Sequence, residues 1–124
     1  MGAGLAKQIR GKYPLTFSRY RFLCDKYGSK LMGKVLLVGN DDGKTIANLF
    51  AQNSYGRGVR QTDYNAMKEC FKMLRDSVLD GKHVGKSIAL PRGIGCGLAG
   101  GDWDTVESII NETLSECDVS IYKL

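Results

Sequence analysis

Pro91-Arg92-Gly93-Ile94-Gly95-Cys96-Gly97-Leu98-Ala99-Gly100-Gly101-Asp102-Trp103 is the stretch on which the fold turns. Five glycines fall within residues 93–101, and Ile94, Cys96, Leu98 and Trp103 are set among and just after them. A flexible linker rarely carries such side chains. Just before it, Ser87-Ile88-Ala89-Leu90 reads as a central strand buried on both faces. Just after it, Asp102 or Asp104 can cap a helix whose apolar face is Val106, Ile110 and Leu114. Open α/β sheets bind ligands at such a place, beyond the carboxyl end of a strand. Glycines let backbone N–H groups converge on an anion, and the helix N-terminus adds partial positive charge. This chemistry suits a phosphate or pyrophosphate. Asp102, Asp104 and Glu107 crowd the same helix start, so either the anion sits in the loop or the acids are simply caps.

Working outward, the spacing of Tyr64, Met67, Phe71, Leu74 and Val78 predicts an amphipathic helix over 62–80, ended by Gly81. Residues 34–38 and 45–51 read as a β-hairpin around Asn40-Asp41-Asp42-Gly43, with Asp42-Gly43 supplying the positive φ angles. Leu5, Ile9 and Tyr13 share one face of a helix over 4–13 that Pro14 stops. A second helix is expected from Thr16 as N-cap, with Phe17, Tyr20, Cys24 and Tyr27 as its buried stripe and Gly28 as its end. Residues 119–124 form a last strand. The order ααββαβαβ implies a partly parallel sheet packed against helices.

A chain of 124 residues suits a single domain over 1–124. Its 43% apolar and 25% charged residues exclude disorder, and no apolar stretch is long enough to span a bilayer. No signal-peptide core is visible, so a cytoplasmic location and no membrane partner are expected. The net charge of +5 favours anionic partners in general. Cys24, Cys70, Cys96 and Cys117 lack metal-ligand spacing, and no metal or cofactor is expected. All but Cys96 read as buried small apolar residues. His83 reads as a solvated residue, and no Ser–His–Asp or Cys–His arrangement is present.

Two further loops can meet a nucleotide. Met1-Gly2-Ala3-Gly4-Leu5-Ala6 opens the first helix, although no strand precedes it as a dinucleotide fingerprint requires. Asn53-Ser54-Tyr55-Gly56-Arg57-Gly58 offers Ser54, Tyr55 for stacking and Arg57 for a phosphate, or is a polar surface loop.

The first glycine loop together with residues 95–103 resembles the macrodomain family. The likeness is strongest to its bacterial and phage branch, which is similar to ADP-ribose-1″-phosphate phosphatases and terminal ADP-ribose protein glycohydrolases. It runs over nearly the whole chain, including the 53–58 loop and the Tyr122-Lys123-Leu124 end. It implies a three-layer α/β/α fold with a mixed sheet and ADP-ribose in a surface cleft. By resemblance, Gly2, Ala3 and Gly4 belong to a loop near the distal ribose. Gly93, Ile94, Gly95, Cys96, Gly97, Leu98 and Ala99 match the loop that wraps the diphosphate and that ribose. Family members carry strands, and many an Asn, ahead of the Gly-Ala-Gly loop. A start at Met1 therefore implies an N-terminally truncated version, its sheet rearranged or completed by another chain or a second copy in a homo-oligomer. The glycohydrolases use a Lys and an Asp where this chain has about Gln52 and Ala99, so hydrolysis by that route is not expected.

Three functions follow. One is an enzyme on ADP-ribose derivatives, a phosphatase or ester hydrolase that positions water with backbone groups and the ligand's own phosphate. Its catalytic residues are not evident, with Asp102 the best acidic candidate. The second is a non-catalytic reader or sequestering module for ADP-ribose or an ADP-ribosylated protein, a role that a phage origin suits. Nucleic acid ranks last as partner, because no strand face interleaves aromatic and basic residues.

Overall fold

In the computed structural model, which describes residues 4–51, 63–94 and 101–122, the elements follow the order ααββαβαβ with one short 3-10 turn added. The chain divides into two compact units, residues 1–31 with 35–49, and residues 32–34 with 50–124. No described helix is long and apolar enough to cross a membrane.

The first unit holds α1 (Gly4–Lys12), α2 (Pro14–Tyr27), a 3-10 turn (Gly28–Leu31), β1 (Val35–Gly39) and β2 (Thr45–Leu49). α2 starts ahead of the Thr16 cap that the sequence predicts. The fixed φ of Pro14 suits a first helical position, where its missing N–H has no partner to lose. Thr16 is instead buried inside the helix, and its hydroxyl reaches Asn40 Oδ1 at 3.4 Å. The predicted stripe is only partly sheltered: Phe17, Tyr20 and Cys24 are half-buried and Tyr27 is exposed. Gly28 ends the helix at φ +52, as a glycine at this position should.

β1 and β2 pair antiparallel, with Val35 opposite Leu49 and Gly39 opposite Thr45. In their turn only Gly43 has a positive φ, +81, so the expected two-residue Asp-Gly turn is replaced. Gly43 N–H donates to Asn40 O at 3.0 Å and Asn40 N–H to Lys44 O at 2.9 Å, the pattern of a three-residue loop with a glycine bulge. The reason lies in Asp42, whose carboxylate accepts from Lys44 N–H at 3.0 Å and from the Tyr13 hydroxyl at 2.7 Å. The Tyr13 bond holds the Asp42 carboxyl below its ordinary range.

The second unit is built on α3 (Tyr64–Leu79), β3 (Ile88–Pro91), α4 (Trp103–Thr113) and β4 (Val119–Tyr122). Asp63 caps α3 by accepting the Ala66 N–H at 3.0 Å. Met67, Cys70, Phe71, Leu74 and Val78 are buried along it, and α3 packs on α4 through Val106, Ile109 and Ile110, which are buried too. The chain turns away at Gly81, where a Cβ would stand 2.9 Å from Ser77 Cα; room, not torsion, requires glycine there. β3 and β4 run parallel from Ile88–Val119 to Pro91–Tyr122, with α4 as their crossover. β3 is buried on one face, not both. Alternate side chains point to opposite faces, so Ile88 and Leu90 share the buried side and Ala89 lies on the exposed one.

Of the three cysteines expected inside, only Cys70 is fully buried; Cys24 and Cys117 are half-buried. Burial pushes the Cys70 thiol up to about 11, and its S–H donates to Lys34 O at 3.3 Å. An unfolded thiol ionises near 9 while the native one stays protonated, so stability is fully present below 9 and falls as pH rises towards 11. Cys70→Ala is expected to remove that part of the alkaline loss in urea unfolding followed from neutral pH upward. In the folded protein at neutral pH, iodoacetamide should modify half-buried Cys24 and leave Cys70 intact, as read by peptide mass spectrometry.

Candidate functional site

The glycine-rich segment leaves β3 through a defined turn. Arg92 N–H donates to Tyr122 O at 2.7 Å, extending the parallel ladder by one residue. Ile94 N–H then donates to Pro91 O at 3.2 Å, and Gly93 stands at φ +84. A left-handed residue at the third position is what a type II turn requires. No atom lies within 4 Å of a Cβ built on Gly93, so its torsion and not crowding demands glycine.

The segment re-enters the described chain at Gly101 and Asp102. Asp102 has extended backbone and caps α4: its Oδ2 accepts the Thr105 N–H at 3.1 Å and the Thr105 hydroxyl at 2.9 Å. Of the two capping candidates it is Asp102 that caps; Asp104 lies in the first turn and is exposed. The best acidic candidate therefore spends its carboxylate on the helix start. Of the two alternatives the sequence leaves for the acids at this helix start, Asp102 takes the one in which it is a cap.

One residue of this arrangement escapes the sequence reading. Tyr64 belongs to the apolar stripe of α3, yet its hydroxyl accepts the Asp102 N–H at 2.9 Å. The first residue of α3 thus anchors the exit of the glycine segment. The available signal was a tyrosine among Met, Phe, Leu and Val: an apolar body with a polar tip that finds a partner. Tyr64→Phe is expected to cost about 1 kcal/mol of stability, measured by urea unfolding. A loss above about 3 kcal/mol would mean that the hydroxyl does more than hold this end of the loop.

Of the other expected ligand residues, Gly4 opens α1 in the first unit, and Gly93 and Ile94 form the turn. Gly2, Ala3, Ser54, Tyr55, Arg57, Gly95, Cys96, Gly97, Leu98 and Ala99 lie outside the described residues, as does Gln52. His83 is half-buried just beyond α3 rather than solvated. Among the described residues no group of His, Cys, Asp or Glu side chains could hold a metal ion. A cleft of 290 Å³ lies by the far end of α4, lined by Ile110, Leu114, Cys117, Val119 and Ile121 with two uncharged polar residues. It offers no cation to a phosphate.

No family model matches the chain. An ADP-ribose 1″-phosphate phosphatase of Candida glabrata is 25% identical over 148 residues, covering 99% of this chain and 83% of that protein. A solved Bacteroides thetaiotaomicron protein of unknown function superposes at TM-score 0.83 with 28% identity, covering 98% of this chain and 78% of the other. A macrodomain protein from Streptomyces coelicolor superposes at TM-score 0.75 with 24% identity, over 97% of this chain and 77% of its own. The chain has the macrodomain fold. The α/β class expected from alternating helix and strand is thereby established. Within the macrodomain fold, β3, α4 and β4 form the parallel unit whose crossover begins at the glycine segment.

Proposed function

We propose that this macrodomain binds ADP-ribose or a close derivative, with the diphosphate held by backbone N–H groups of residues 93–99. One observation carries the reading: a left-handed Gly93 turn at the carboxyl end of a parallel strand leads through the glycine segment into a capped helix N-terminus. Glycines carry no side chain to shield a backbone N–H, so a segment of this composition suits an anion held by backbone donors. The curated relative's phosphatase name supports a nucleotide of this class. Protein-linked ADP-ribose presents the same diphosphate and is a candidate partner on the same grounds.

A second reading, turnover of ADP-ribose-1″-phosphate, is favoured by that relative. It requires catalysis without Asp102 as free acid, since the carboxylate accepts two hydrogen bonds as a cap. Calorimetric titration with ADP-ribose tests the binding; saturable heat is expected, and a folded protein that gives none would sink it. Phosphate release from ADP-ribose-1″-phosphate separates a phosphatase from a reader.

A further inference from the structure

The charge of the chain is not spread over it. Residues 1–31 carry seven Lys and Arg against one Asp, while residues 32–124 carry eleven against twelve. The whole positive excess therefore belongs to α1, α2 and the short turn that follows. On α2, Leu15, Arg19, Phe22 and Lys26 follow at i, i+4, i+7 and i+11, which places them in one stripe about 16 Å long. All four are exposed, Phe22 to 61% and Leu15 to 50%. Cations already lie against the aromatics of these helices. The Lys26 ammonium stands 5.7 Å from the Phe22 ring centre and 5.3 Å from that of Tyr27, and the Arg10 guanidinium stands 4.2 Å over Phe17. The interleaving of aromatic and basic residues absent from the strands is thus present on a helix.

We infer that the outer face of α2, with Arg10 and Lys12 at the end of α1, binds single-stranded nucleic acid. Phosphates meet the cations, and an unpaired base stacks on Phe22. Charge complementarity is one-sided: the lone acid of these helices, Asp25, is engaged by Arg21 at 3.4 Å. An acidic membrane would use the same cations, but it needs cations and apolar groups on separate faces of the helix. In α2 they alternate along one stripe, as a strand of alternating phosphates and bases requires.

The test is fluorescence anisotropy of the full chain with labelled oligo(dT) and oligo(U), beside vesicles of phosphatidylserine. With about four phosphates neutralised, binding should weaken roughly 50-fold between about 50 and 200 mM salt. Phe22→Ala should weaken it about tenfold with the salt slope unchanged. The double substitution Arg19→Glu with Lys26→Glu should weaken it at least about tenfold and flatten the slope. Lys72→Glu, on exposed α3 surface, should leave it unaltered. Binding to neither oligonucleotide at low salt overturns the proposal. So do vesicle binding alone and α2 variants that bind like the parent.

Discussion

Phe71→Ala should lower the free energy of unfolding by about 3–5 kcal/mol, the usual cost of deleting a buried aromatic side chain and leaving a cavity. Phe71 is wholly inaccessible on the inner face of α3, as is Val106 on α4, and the two helices pack on each other. Small domains hold only about 5–15 kcal/mol in total, so the variant should lose much of its folded population on mild heating. Urea unfolding followed by far-ultraviolet circular dichroism measures the change. A loss below about 1 kcal/mol would mean that the second unit does not rest on this contact. Met73, on the same helix but 44% exposed, is the matched control, and Met73→Ala should stay within about 1 kcal/mol of the parent.

Gly97→Glu should weaken ADP-ribose binding by about 100-fold or more while leaving the unfolding midpoint nearly unchanged. A carboxylate placed about 4 Å from a bound phosphate is repelled by several kcal/mol in a partly shielded site. Isothermal calorimetry on parent and variant measures this. Equal affinities in both would move the diphosphate away from the glycine segment and undo the proposed site. Gly93 makes a different comparison: its left-handed torsion disfavours any side chain, so Gly93→Ala should cost about 1 kcal/mol of stability.

The helices α3 and α4 were legible because each carries a strong period over many residues, although α3 starts at Tyr64 behind an Asp63 cap rather than at residue 62. The crossover from β3 through α4 to β4 was legible for the same reason: strand, glycines, helix and strand follow in an order that a parallel pair accommodates. α2 was harder. Its aromatic and basic residues are not segregated, so periodicity gave both a wrong start and too deep a stripe, and Thr16 passed as a cap when it is a buried link to Asn40.

What the sequence by itself determined is therefore local: the α/β class, the order of elements, and the concentration of positive charge in the first two helices. Each rests on propensity or charge, which neighbours along the chain supply. Only the tertiary structure decided which partners distant residues take. Tyr64 and Asp102 are 38 residues apart, and Tyr13 and Asp42 are 29 apart. Hydrogen bonds across such distances depend on where packing brings two helices or a helix and a turn. The same packing buried Thr16 and left the stripe of α2 exposed, because a side chain's surroundings are fixed by what folds against it.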